Sequence, residues 1–272
     1  MPTLDIGGYD IAYVEQGAGD PVLFVHGTLQ DQRYWAPQMA AFGARYHAIA
    51  VSLRHFWPEH WNGVGDDFTI AQHVEDVAAF AKALNAGPIR LIGHSRGGHI
   101  AFRVAQHFPN LLRAVVLAEP GGELDSTFGA ATTPGPQRAV ADAAKLIQAG
   151  VVEEALRVFT AYTGGPGAWE KRPESRRQIS RDNARTLLGQ INEQRAPFSR
   201  AQAEGIRLPT LLVGGADSQP QFGAILDGME KSIAGARRVT IPNAAHGMSS
   251  DNPAAFNTAV LAFLDANLHQ PA

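Results

Sequence analysis

Cysteine is absent from the 272-residue chain. Its absence excludes disulfides, thiolate metal sites, iron–sulfur clusters and cysteine nucleophiles together. Charge is sparse as well. Asp, Glu, Lys and Arg make up 18% of the residues, against about 25% in a typical soluble domain, which fits a large buried volume. The net charge of −3 leaves no basic footprint for nucleic acid or for an anionic membrane surface. No apolar run approaches the ~18 residues of a membrane span. The opening Met1-Pro2-Thr3-Leu4-Asp5-Ile6-Gly7-Gly8 lacks the basic and apolar regions of a secretory signal. What is present is 45% apolar, enough for a packed core. The expectation is a soluble, cytoplasmic protein whose partner is a small molecule, not nucleic acid or membrane. No feature of the sequence speaks to oligomeric state.

Strand-like and helix-like runs alternate through the first third. Thr3–Ile6 and Ile11–Glu15 flank Gly7-Gly8 and read as a hairpin. Val22–Val25 and Tyr46–Val51 are apolar runs of the kind that fill a sheet buried on both faces. Thr69-x-x-Gln72 has the form of a capping box, and Ile70, Val74, Val77, Ala81 and Leu84 keep helical spacing behind it. Ile89–Ile92, Gly97–His107 and Ala114–Ala118 continue the strand–helix–strand rhythm, which predicts a mostly parallel sheet. From Gly121 to about Glu204 no strand is evident. Gly/Thr/Pro-rich sequence (Gly129 to Pro136) leads into helical stretches around 138–148, 153–162 and 173–194. The rhythm resumes with Pro209–Val213, Arg238–Ile241 and a final helix begun by Asn252-Pro253.

Gly93-His94-Ser95-Arg96-Gly97 matches G-x-S-x-G between a strand and a helix, the context that the motif requires. The tight turn lifts the serine hydroxyl off the sheet, and the helix behind it favours developing negative charge. A serine needs a base. His246, in Asn243-Ala244-Ala245-His246-Gly247-Met248, follows the last strand and emerges at the same sheet edge. The base needs an acid to fix its tautomer. Asp217, just beyond Pro209–Val213, and Glu119, directly after Ala114–Ala118, both qualify.

These motifs resemble the α/β-hydrolase fold superfamily, specifically its lidded serine hydrolases, across nearly the whole chain. The order Ser95, Asp217, His246 is the order of the family's triad, and the resemblance therefore favours Asp217, with Glu119 as the alternative acid. His26-Gly27-Thr28 is similar to the family's oxyanion-hole segment, which implies that the backbone N–H groups of Thr28 and Arg96 hold the oxyanion. The implied fold is a mostly parallel sheet of about eight strands flanked by helices. Residues 1–122 and 205–272 would form the core, and 123–204 a helical lid after the sixth strand. The implied activity is hydrolysis of a small ester or lactone through an acyl-enzyme on Ser95, with no cofactor. The alternatives are cleavage of a carbon–carbon bond in a diketone and a catalytically silent ligand-binding role.

Where many relatives carry an Asp and a glycine-rich turn, this chain has Ser52-Leu53-Arg54-His55-Phe56-Trp57-Pro58-Glu59-His60-Trp61. His55 and Trp57 are candidates for a wall of the substrate pocket, with simple packing as the competing role. His55 and His60 lack a second ligand cluster, so no metal site is expected. Arg177, Arg181 and Arg185 recur at helical spacing and read as a solvated face.

Overall fold

The computed structural model describes residues 1–129, 135–191, 193 and 195–267. Most of the Gly129 to Pro136 stretch, and Gln194 at the end of the third expected helical stretch, lie outside them. The chain begins with β1 (Thr3–Asp5), β2 (Asp10–Gln16) and β3 (Pro21–Val25), then α1 (Ala36–Gly43), β4 (His47–Val51), α2 (Ile70–Ala83), β5 (Ile89–His94), α3 (Arg96–His107) and β6 (Leu112–Ala118). After a helical stretch, β7 (Thr210–Gly215) and β8 (Arg237–Ile241) complete an eight-stranded sheet of order β1-β2-β4-β3-β5-β6-β7-β8. The pairs β1·β2 and β2·β4 are antiparallel and all others are parallel.

Alternation along the strands builds two cores. Leu23, Val25, Leu91, Val115 and Leu117 face one side, packed with Val74, Val77 and Phe80 of α2 and Ile100 and Val104 of α3. Val22, Phe24, Ile92, Val116 and Val213 face the other. They meet Phe42 of α1 and Phe256, Val260 and Leu264 of the last helix (Pro253–Ala266). Both faces are apolar because crossover helices cover both.

Between β6 and β7 run α4 (Gly135–Gln148), α5 (Val152–Gly164), α6 (Ala168–Lys171), α7 (Glu174–Asp182), α8 (Thr186–Ile191) and α9 (Arg200–Glu204). This insertion has its own core of Ala143, Ala144, Leu156, Trp169 and Leu187, and Leu29 from the loop after β3 packs into it. Its base is closed where Phe198 N–H donates to the Glu123 carbonyl (2.7 Å) and Asp125 N–H to the Phe198 carbonyl (2.9 Å). The third helical stretch is broken into α7 and α8. Asn183 ends α7 by bonding the Ile179 carbonyl (2.9 Å) and Asp31 (2.7 Å) through its side-chain amide. Arg177 and Arg181 pair with Glu174, Arg181 also with Glu153, and Arg185 bonds the Asn62 carbonyl.

After β7 come α10 (Pro220–Ser232), β8, α11 (Met248–Asp251) and α12 (Pro253–Ala266). Only half of the expected box at Thr69 forms. Thr69 Oγ1 accepts from Gln72 N–H (3.0 Å), but the Gln72 side chain turns to Asp76. The full reciprocal box is instead at Ser199 and Gln202, opening α9. Among the described residues, no helix is long and apolar enough to cross a membrane.

Candidate active site

Parallel register aligns the C-terminal ends of the central strands. Val25 pairs with Gly93, His94 with Ala118, and Ala118 with Val213. The residues that follow these ends therefore gather at one edge, which is where ligands sit in such sheets. Ser95 follows β5 with φ +54° and ψ −118°, a left-handed conformation that costs a non-glycine residue free energy. The turn is tied down by Ser95 N–H to the Ala118 carbonyl (3.0 Å) and Gly121 N–H to the Ser95 carbonyl (2.8 Å). It requires glycine at 93 and 97, where a Cβ would lie 2.2 Å from the Gly97 oxygen and 2.2 Å from the Val25 oxygen respectively. The motif spacing thus reflects backbone approach that no side chain would permit.

His246 is buried. Its ring stacks on Phe222 of α10 at 3.8 Å and 13°, and its carbonyl accepts from His94 Nε2–H (2.6 Å). Its Nδ1–H donates to Glu119 Oε2 at 2.7 Å. The preference for Asp217 is therefore reversed, because the carboxylate that meets His246 is Glu119. Glu119 N–H continues the sheet ladder to the Val213 carbonyl (2.9 Å). The backbone then turns left-handed (φ +41°) and sends the side chain inward, only 1% exposed. There Oε1 accepts Gly215 N–H (2.8 Å) while Oε2 holds His246. At Asp217 the chain has already left the edge. Gly215 is pressed against the Ala244 and Ala245 carbonyls, where a Cβ would lie 2.4 Å from each, Asp217 N–H bonds the Ala244 carbonyl, and the Asp217 side chain is exposed. Among the described residues, His246 Nε2 is buried without a hydrogen-bond partner. The residue thus offers a base atom with its tautomer fixed from the other side.

The Gly27 segment lies directly on the elbow, since a Cβ on Gly27 would be 3.0 Å from Ser95 Cβ. Thr28 lines the same cavity as Ser95 and His246 and bonds Gln190 through Oγ1 (3.0 Å). Arg96 opens α3, so its N–H belongs to the first turn, which has no intrahelical acceptor. Its side chain runs the other way, fully buried, to Glu193 (2.5 Å), to His73 Nδ1 (2.7 Å) and over the Phe68 ring. Burial works to raise Glu193, but Arg96 and Arg195 outweigh it and hold the carboxyl below its usual range.

Four histidines around this edge, His26, His73, His94 and His99, are fully enclosed. Burial keeps each well below the usual imidazole range, His26 at about 4. They act as neutral crosslinks. His26 donates from Nδ1 to the Gly27 carbonyl and accepts Leu53 N–H at Nε2, tying the segment to the loop after β4.

Ser95, Thr28 and His246 share a cavity of about 80 Å³. The insertion contributes Val140, Phe159, Tyr162, Thr163 and Gln190 to its wall, and Glu123, Glu193 and Arg195 stand where the insertion leaves and rejoins the core. Burial raises the Tyr162 phenol to about 12 and raises the Glu123 carboxyl. These wall residues had no signal in periodicity. Only Phe222 was within reach, two residues past the Pro220 that opens the helix after β7.

The candidates His55 and Trp57 are not in this wall. His55 is clamped between Glu59 (2.8 Å) and Asp67 (2.7 Å), stacks on Trp61, and borders a separate groove against the insertion. Trp57 lies under the Arg33 guanidinium (3.7 Å) and donates its backbone N–H to Asn183. The aromatic loop fastens the insertion to the core. Among the described residues, no group of three or more His, Asp or Glu is arranged to hold a metal ion.

Comparison with known proteins agrees with this architecture. Residues 20–253 match a family model described as the alpha/beta hydrolase fold. A curated relative from Acinetobacter baylyi, (E)-2-((N-methylformamido)methylene)succinate hydrolase, is 24% identical over 261 residues, covering 93% of each chain. Among solved structures, the enol-lactonase of Burkholderia xenovorans superposes with a TM-score of 0.77 at 20% identity, over 97% of this chain and 100% of that one. A thermophilic esterase from Thermogutta terrifontis, with malate bound, gives 0.75 at 22% identity, over 95% and 94%.

Proposed function

From the premise that the chain belongs to the alpha/beta hydrolase fold family, we propose that it is a serine hydrolase acting on a small ester or lactone. Ser95 Oγ attacks the acyl carbon and gives its proton to His246 Nε2. Glu119, in place of Asp217, holds Nδ1–H and stabilises the imidazolium. The N–H groups of Thr28 and Arg96 receive the oxyanion, each such donor being worth about 3–4 kcal/mol in other enzymes. His246 then protonates the leaving oxygen, which departs or, in a lactone, stays tethered to the acyl group. Water gives a proton to His246 and attacks the acyl-enzyme, and His246 returns that proton to Ser95 Oγ as the acid departs. The insertion serves as the cap of the site and limits substrate size.

The observation that carries this reading is the Glu119–His246 bond at 2.7 Å, with Nε2 unpartnered among the described residues on a side chain lining the cavity of the elbow serine. Nε2 and the Ser95 hydroxyl are not hydrogen-bonded, and in such pairs the bond tightens as substrate binds. The ester or lactone substrate is supported by the enol-lactonase and esterase among the structural neighbours and by the acyl-transfer chemistry of the triad. The test is labelling with a fluorophosphonate probe. Ser95 takes the label, and Ser95→Ala abolishes it together with at least about 10⁴-fold of turnover. A folded protein that binds an intact ester but neither labels nor turns over would be a non-catalytic member of the fold.

A further inference from the structure

Among the described residues, one cation lines the cavity itself. Arg195 lines it beside Ser95, and the guanidinium has one ion pair among the described residues, Nη2 to Glu193 at 3.1 Å. That carboxylate is already held at 2.5 Å by Arg96, so two guanidiniums share one anion. The remaining donors of Arg195 are underused. Nε is buried with no partner among the described residues. Nη1 lies 3.5 Å from the point where a Cβ on Gly121 would stand, and that same point is 3.3 Å from the Ser95 carbonyl carbon and 3.4 Å from Arg96 N. Nη1 is therefore within 6.9 Å of Arg96 N, in the peptide that carries one oxyanion donor, and no side chain at Gly121 stands between them.

From this juxtaposition we infer that Arg195 binds a carboxylate of the substrate, and that the substrate is an ester or lactone whose acyl part carries an anionic group a carbon or two from the scissile carbonyl. A guanidinium with free N–H groups in a partly desolvated pocket is the side chain best matched to a carboxylate. The facing carboxyl, Glu123, does not form an ion pair with Arg195 among the described residues, and although the Arg195 charge favours its ionised form, burial outweighs it and raises the carboxyl. Fixing the anion beside the elbow holds the acyl carbon against Ser95, so Arg195 orients the substrate and selects it without taking part in proton transfer.

The inference rests on the hydrolase reading, and the test separates the two. Wild type, Arg195→Lys and Arg195→Gln are assayed by pH-stat on ethyl hydrogen succinate and on ethyl 4-methylpentanoate, whose isopropyl group replaces the carboxylate at similar size. Succinate binding is measured calorimetrically on Ser95→Ala with and without Arg195→Gln. The expected result is a wild-type preference for the anionic ester that falls at least about tenfold in Arg195→Gln, through KM more than kcat, and less in Arg195→Lys. Succinate affinity falls by a similar factor. An unchanged preference in both variants, an equal loss on both esters, or no succinate binding to Ser95→Ala would overturn the inference. Arg195-dependent succinate binding in a protein that neither hydrolyses the esters nor takes the fluorophosphonate label would support the carboxylate site and refute the hydrolase. Should Arg195→Gln fail to fold, the preference of Arg195→Lys decides.

Discussion

Replacing Glu119 by Gln tests the site at its innermost point. The side chain keeps its length, and the amide has two ways to lie. In the first, its oxygen keeps Gly215 N–H, now 2.8 Å from Glu119 Oε1, and the NH₂ group faces His246 Nδ1. The imidazole must then accept at Nδ1 and carry its proton on Nε2, where it cannot take one from Ser95. The analogous change in a serine protease costs about 10⁴ in kcat, or ~5.5 kcal/mol of barrier. In the second, the oxygen faces His246 and the tautomer survives, but the NH₂ group is buried against Gly215 N–H. Two donors then meet without an acceptor, at about 1–3 kcal/mol, and the negative charge beside the imidazolium is gone. The expected loss in kcat is therefore about 10²- to 10⁴-fold, with circular dichroism unchanged and KM altered little. Asp217→Asn, an exposed and near-isosteric change, should stay within about twofold of wild type. Steady-state kinetics on the two purified proteins decide the matter. If folded Glu119→Gln keeps more than a tenth of wild-type kcat, or Asp217→Asn is the one that collapses, the argument from the Glu119–His246 bond is wrong.

Stability should fall in mild acid. His26 sits at about 4 in the folded protein against ~6.5 unfolded, so its full contribution is present above pH ~6.5 and is lost as pH falls towards 4. That loss is about 3 kcal/mol for His26 alone, and His73, His94 and His99 act in the same direction. Urea midpoints that stay constant from pH 7 to 5 would contradict this. Phe222→Leu removes the ring stacked on His246 while keeping most of the bulk. It should lower kcat about tenfold with little change in melting temperature, and an unaffected kcat would show that Phe222 does not hold the imidazole. Trp57→Ala gives up the Arg33 contact, worth about 1 kcal/mol. The melting temperature should drop by about 2–4 °C while the ranking of esters by chain length stays put, and a changed ranking would return this loop to the pocket.

The strands and the elbow were legible because they are local. Val22–Val25 and Ile89–Ile92 announce themselves by composition, and the glycines around Ser95 by the close approaches they permit. His246 was legible from its place after the last strand. The carboxylate partner of His246 was not, because both carboxylates follow strands at the same edge, and what separates them is a left-handed turn at Glu119 and the packing of Ala244 and Ala245 onto Gly215. Neither leaves a trace in residue order. The aromatic loop misled for a related reason. Tryptophans suit a pocket wall and a packing contact equally, and only the position of Asn183 and Arg33 assigns Trp57 to the second. Arg195 and Glu193 fall in sequence with no periodic pattern, and their meaning lies in Arg96 reaching across from α3.

Leu29, left-handed at φ +59° and buried in the core of the insertion, stands one residue from Thr28, itself bonded to Gln190 of α8. In evolutionary and engineering terms, the exchangeable unit is therefore discontinuous. A graft of the stretch between β6 and β7 from a relative would arrive without the residue that keys it into place, and the mismatch would be transmitted to Thr28. A chimera that also carries the donor's counterparts of Thr28 and Leu29 should recover function where the bare graft does not.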